Sequence, residues 1–290
     1  MNETPSTTLT LLGTAGGPGG HATRSGMSSL VTVGSRHYLV DAGDGVCRQL
    51  AAAGVSLREV SEVFITHLHD DHTAGLPGLV SFSHTMRSGP IQLFGPPGTS
   101  ALRRGVLAYA ETNASIRGQE SRLSPVEDQV SAMEVRSGVL YSDDLVTVIG
   151  AENSHYALTT FSEPAHSSLA LRFDTPSGSV VFTGDTGESA AVEELARGAH
   201  VLVCEMVTAA DRASVPEPVR AHMDVEHLSP SQVGRLAQAA RVGRVVLSHY
   251  SGATNEDLAE IAREFPGEVV AGEDLMRFRL GEGGNSPQSS

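Results

Sequence analysis

Cysteine is scarce, with only Cys47 and Cys204 in a chain of 290 residues. Two thiols in apolar surroundings make no disulfide framework and read as reduced core residues of a cytosolic protein. Long apolar runs are missing too. None approaches the ~18 residues a membrane helix requires, and Met1-Asn2-Glu3-Thr4-Pro5 does not resemble a secretory leader, so the expectation is a cytoplasmic protein with no membrane partner. Basic residues are also few, 20 against 34 acidic ones, giving a formal charge of −14 with no Lys/Arg run. That field repels a phosphate backbone at long range, so nucleic acid is expected to be disfavoured as a partner; a small anionic substrate stays open, and so does a homodimer. The glycine-rich stretch Thr14 to Gly20 lacks both the Lys-Ser/Thr pair of a P-loop and the G-x-G-x-x-G spacing, and reads as a flexible rim.

What the chain does have is concentrated in Thr66-His67-Leu68-His69-Asp70-Asp71-His72. Three imidazoles and two carboxylates follow the apolar run Val63-Phe64-Ile65, which reads as a buried strand ending where the polar cluster begins. Burying such a cluster without a cation is costly, and neutral imidazole with ionised carboxylate is the usual ligand set of zinc and its first-row neighbours. His67 and His69 can point at one ion, while Asp71 and His72 can reach a second one nearby.

Along the chain, Leu9–Gly13, Ser29–Val33 and His37–Val40 read as strands, and Val46 to Ala53 as a helix closed by Gly54. Asp41 is either a carboxylate supporting the metal cluster from behind or a turn residue. Thr73 to His84 reads as a helix, Ile91–Phe94 as a strand, and Thr99 or Ser100 as the cap of a helix reaching about Tyr109. Asn113 to Ser142 is polar and weakly periodic, which suggests surface structure beside a pocket. Strands follow at 145–149, 168–173, 179–182, 201–205 and 245–247, with helices at 190–199 and 231–240 and a Pro-containing loop after 205. No linker divides the chain, so residues 1–282 are expected to form a single domain and 283–290 a disordered tail. The two halves repeat an order of paired strands followed by strand–helix units, which predicts an α/β sandwich: two mixed sheets with helices outside. His67, Asp185, Glu205 and His249 each stand at the carboxyl end of an apolar strand, the edge where open α/β architectures place ligands.

His67-x-His69-x-Asp71-His72, then His155, then Gly184-Asp185-Thr186, then Ser248-His249 resembles the ordered metal signature of the metallo-β-lactamase fold hydrolases. The similarity spans nearly the whole chain and is strongest to the ribonuclease Z and arylsulfatase-like branch, through Asp71 before His72, Glu205 after its strand, and His227-Leu228-Ser229 ahead of a helix. The resemblance implies an αββα sandwich with a dinuclear site, for which zinc is expected and manganese or iron are alternatives. His67, His69 and His155 would hold one ion and Asp71, His72 and His249 the other, with Asp185 bridging. It further implies a hydrolase acting through a metal-bridging hydroxide, with Asp71 among its catalytic residues. The leaving group needs a proton or local charge, for which His227 is the candidate, oriented by Glu205; the alternative is that His227 is a helix-start residue and Glu205 a buried ion-pair partner. His21, His84, His166 and His222 read as surface residues, although His166 and His222 could line the pocket.

The expected substrate is a small-molecule ester: a phosphodiester, a sulfate ester, or a lactone or other carboxylic ester. Only 29 residues separate His155 from Asp185, leaving no room for the inserted arm with which ribonuclease Z grips transfer RNA, and Ser251-Gly252-Ala253 departs from that family's phosphate-binding sequence. Two alternatives stay open: a tRNA 3′-processing endonuclease of ribonuclease Z type, and a non-hydrolytic redox or sensor member of the fold. Residues 113–142 and 209–222 are expected to wall the pocket.

Overall fold

The computed structural model describes residues 4–161 and 166–281; the expected tail from residue 283 lies outside them. Strands β1 (Thr7–Gly13), β2 (Ser28–Val33) and β3 (Arg36–Val40) run antiparallel, and β4 (Val60–Phe64), β5 (Ile91–Gly95) and β6 (Val130–Glu134) continue the sheet in parallel from β3. The second sheet repeats the scheme. In it β7 (Gly138–Ser142), β8 (Thr147–Glu152), β9 (Leu169–Thr175) and β10 (Gly178–Phe182) are antiparallel, and β11 (Val201–Glu205), β12 (Arg244–Ser248) and β13 (Glu268–Ala271) follow in parallel. The last strand, β14 (Arg277–Leu280), returns to pair with β1, so that among the described residues each sheet has seven strands. This is the expected two-sheet sandwich with helices outside.

The two-residue period of the strands builds the layers. In β11, Val201 and Val203 face the core between the sheets, while Leu202 and Cys204 face the helices outside. Each such fully buried aliphatic side chain contributes roughly 1.5–3 kcal/mol. Helices α1 (Val46–Ala52), α3 (Leu76–Thr85) and α4 (Thr99–Glu120) cover the first sheet through Leu50, Leu79 and Val106. Helices α5 (Ala190–Ala196), α8 (Pro230–Ala240) and α9 (Asn255–Glu264) cover the second through Ala196, Val233 and Ile261. Both thiols are free, Cys204 buried and Cys47 half-buried.

Several local expectations change. The helix expected from Thr73 to His84 is two pieces, α2 (Asp70–Thr73) and α3, with Pro77 in the first turn of the second. Helix α4 runs on to Glu120, and its start is set by Gly98 at φ 106° together with Glu134, which accepts the Gly98 and Ser100 amides, rather than by a hydroxyl cap. The weakly periodic stretch 113–142 contains the end of α4 and the edge strands β6 and β7. An edge strand buries little on its outward positions, as Val139 at 67% exposure shows, so its alternation is faint. The stretch after β11 folds into α6 (Ala209–Ser214) and α7 (Glu217–Val225); Thr208 and Asp211 cap the first reciprocally, and Pro216 precedes the second.

Candidate metal centre

The site lies where β3, β4, β8, β10, β11 and β12 end, on one edge of the sandwich. Asp41 follows β3, His67 to His72 follow β4, His155 follows β8, Asp185 follows β10, Glu205 closes β11 and His249 follows β12. Two of these turns are bent into the left-handed region, Asp41 at φ 57° and His249 at φ 53°, where a side chain other than glycine's is strained by about 1–3 kcal/mol. Packing holds His249 there: a Cβ on Gly16 would stand 2.6 Å from the His249 carbonyl carbon, so only glycine fits against it.

The seven residues expected as ligands come together in two groups. In the first, His69 Nδ1 is 3.1 Å from His67 Nε2 and 3.1 Å from His155 Nε2. In the second, His249 Nε2 is 3.1 Å from Asp71 Oδ2 and 3.1 Å from Asp185 Oδ2, and His72 Nε2 is 3.4 Å from Asp185 Oδ1. Asp185 stands between the groups, with Oδ2 3.7 Å from His67 Nε2 and 3.9 Å from His155 Nε2.

Divalent ions fit this arrangement. Nitrogens bound at about 2.0–2.1 Å to one tetrahedral zinc ion stand roughly 3.3 Å apart, close to the spacing of the first group. In the second group, the buried His72 Nε2 and Asp185 Oδ1 have no hydrogen-bond partner, an arrangement that costs about 1–3 kcal/mol per atom unless a cation engages both. The electrostatics agree. Burial, then the neighbouring imidazoles, hold His67 far below the usual histidine range, and burial pushes His155 down to about 3, so both present lone pairs. For His72, burial is outweighed by Asp185 and Asp41, which hold it well above the usual range; a bound cation takes the place of that proton. Asp71, despite burial, is brought down to about 2 by His249 and His72.

Behind these groups is a second layer of contacts. Asp41 resolves as a supporting carboxylate: its Oδ2 is 2.9 Å from His72 Nδ1, and its Oδ1 accepts the Thr66 amide at 2.8 Å. The glycine-rich stretch expected as a rim reaches the site, where Gly17 donates its amide to Asp71 Oδ2 at 3.0 Å. Glu205 Oε1 accepts the amides of Thr186 and Leu228, both at 3.1 Å, and so ties the loop of Asp185 to the loop of His227. His227 Nδ1 is 3.2 Å from the same oxygen without being aligned for a hydrogen bond. Burial lowers the affinity of His227 for a proton, but Glu205 and Asp185 outweigh it and bring the ring up to about 9.

The remaining histidines separate. His84 is buried, its Nε2 against the Ser124 carbonyl at 2.8 Å, instead of exposed. His166 faces the Pro97 carbonyl and His21 the Gly16 carbonyl. His222 takes the pocket-lining alternative rather than the surface one: its Nε2 is 3.2 Å from His227 Nε2, and its Nδ1 bonds the buried Glu226. A signal existed in the four-residue spacing of His222 and Glu226 on a helix running directly into His227.

A two-sheet sandwich with a histidine–aspartate cluster along one edge is the architecture of a metal-dependent hydrolase. The chain belongs to the metallo-β-lactamase fold family: a model described as the Beta-lactamase superfamily domain matches residues 36–250. It is 33% identical to a protein named Ribonuclease Z from Mycobacterium sp. (strain KMS), over 95% of this chain and 96% of that one. In fold it is similar to the metallo-beta-lactamase fold protein YhfI from Bacillus subtilis (TM-score 0.71, 19% identity, 95% of this chain and 99% of that one). It is similar as well to the short form of human tRNase Z (TM-score 0.65, 21% identity, 94% and 99%). These relatives overturn one expectation, that nucleic acid is disfavoured as a partner. Net charge is a sum over the whole surface and does not set the potential at a metal-binding cleft. No described helix is long and apolar enough to cross a membrane.

Proposed function

We propose that this chain, as one domain through residue 282, is a phosphodiesterase of ribonuclease Z type: an endonuclease that trims the 3′ side of precursor transfer RNA. The observation that carries the reading is the 33% identity over 95% of the chain with a protein named Ribonuclease Z. It is supported by His227 standing beside the histidine–aspartate cluster, its ring parallel to that of His249 with centroids 5.9 Å apart.

In this reading His67, His69 and His155 would hold one zinc ion and Asp71, His72 and His249 a second, with the Asp185 carboxylate facing both groups. Ions bound there would supply an activated water and polarise the phosphorus–oxygen bond. Asp71 keeps its charge beside His249 and is fixed by the Gly17 amide. His227, carrying its proton at neutral pH, faces the reaction site and donates to the leaving oxygen, and Glu205 opposite Nδ1 favours the charged ring. Asp41 fixes the ring of His72 from behind.

The test uses purified protein of measured metal content, a precursor tRNA with a 3′ trailer, bis(p-nitrophenyl) phosphate, p-nitrophenyl sulfate and an aryl ester. The expected result is metal-dependent cleavage at the 3′ side of the tRNA, crippled by His227→Ala. An intact precursor alongside turnover of a small ester would sink the ribonuclease reading and leave a small-molecule hydrolase.

A further inference from the structure

We infer that His222 and His227 form a further divalent-cation site at the mouth of the metal centre, and that filling it shuts the centre down. A buried carboxylate stands at Nδ1 of each ring, hydrogen-bonded to His222 and close to His227 without alignment. His222 Nδ1 bonds Glu226 Oε2, and Glu226 is itself buried and fixed by the Leu158 amide on Oε1 at 2.6 Å. His227 Nδ1 faces Glu205 Oε1 at 3.2 Å. A carboxylate at Nδ1 is the arrangement that orients an imidazole to bind metal through Nε2. Here the two Nε2 atoms converge, 3.2 Å apart.

At this separation the two Nε2 atoms share a proton, and a cation that displaces that proton finds both lone pairs aimed at it. The separation matches the roughly 3.3 Å expected between two nitrogens on one tetrahedral zinc ion. The ring of His155 closes one side, its centroid 5.5 Å from that of His222 and 5.0 Å from that of His227. His155 does not belong to the new pair, because its Nε2 faces His69. The other side is open: the His222 side chain is 35% exposed, which gives an entering ion a path and leaves room for water to complete its coordination. Two imidazoles select zinc, cobalt, nickel or copper over magnesium and calcium.

An ion bound here occupies the His227 Nε2 that the proposed reaction uses. The inhibitory consequence therefore rests on His227 serving the leaving oxygen, whereas the cation site itself does not.

The experiment is equilibrium dialysis of Zn2+ against protein already carrying its resident metal, for the wild type, His222→Gln, Glu226→Gln and, as a control on the same helix, Val219→Ala. The wild type and Val219→Ala are expected to take up one further equivalent. His222→Gln should lose it, and Glu226→Gln should bind it about 10–100-fold more weakly. Melting curves identify any variant that fails to fold, and Glu226→Gln then carries the comparison. Magnesium should add no equivalent. In parallel, excess Zn2+ should inhibit RNA cleavage by the wild type and spare His222→Gln. Coincident isotherms for the wild type and both site variants would overturn the cation site and leave a shared proton between the rings. A further equivalent that does not inhibit would retain the site and overturn the inhibition. If no variant cleaves RNA, the dialysis still decides the site, and only the ribonuclease reading fails.

Discussion

The two ligand groups share a sheet edge, but the fold prepares them in opposite ways. His67 and His155 are driven neutral by burial beside other imidazoles, and the contacts behind them are weak and uncharged: the Thr66 hydroxyl at 3.1 Å and the Glu226 carbonyl at 3.3 Å. His72 and His249 are pulled the other way by Asp41, Asp71 and Asp185, and this group has a full charge behind it in Asp41. One group offers bare lone pairs. The other is an anionic nest that a cation neutralises. The difference teaches that a string of histidines in one loop need not be uniform, because the second layer of contacts sets each ring's charge.

The comparison breaks most severely at Asp185, which faces both groups. Asp185→Asn removes the charge that offsets His72 and His249, and is expected to lower hydrolase activity by more than about 100-fold, exceeding the loss typical of outer contacts. Metal analysis of the same sample should show ion loss from both groups. Stripping the metal with a chelator tests the same point without mutation. It should abolish activity and lower the melting temperature, with recovery on adding a divalent ion back, because ligation stabilises only the folded state. An unchanged melting temperature would argue that the buried polar atoms of the site need no cation.

Asp41→Asn discriminates between the groups. It is expected to weaken metal binding by about 10–100-fold at the His72 group alone, leaving uptake by the His67 group unchanged. Gly16→Ala is smaller again: a Cβ 2.6 Å from the His249 carbonyl carbon must push the loop away, at a cost of about 1–3 kcal/mol read by denaturant unfolding.

The smallest effect lies far from the site. Although burial raises its affinity for a proton, Asp143 is brought down to about 2 by the Tyr38 hydroxyl, by the Leu145 and Val146 amides and by Tyr141. A carboxylate depressed on folding contributes stability that is present above its unfolded value of about 4 and lost as pH falls towards about 2. Tyr38→Phe should remove about 1 kcal/mol of stability at neutral pH and flatten the acid limb of the stability curve in that window.

Much of this was legible because local sequence carries it. The ligands fall at the ends of apolar strands whose period and length are plain, as in Gly178–Phe182 ahead of Asp185 and Arg244–Ser248 ahead of His249, and the order of strands and helices repeats. Edge strands such as β7, which bury little, left no clear pattern. The small-ester expectation leaned on net charge and on a missing arm, which describe bulk surface and chain length rather than the cleft. Asp41 could not be separated from a turn residue, since its partner, His72, is 31 positions away.

The sequence by itself determined the sandwich and the identity of the residues at its edge, because strand period, burial and ligand chemistry are local properties of a chain. Only the tertiary structure decided which imidazoles are held below and which above the ordinary histidine range, that Gly17 reaches Asp71, and that His222 faces His227. Those depend on through-space distances of a few ångströms between segments that the chain order keeps apart, and the energies of burial and charge pairing are set by such distances.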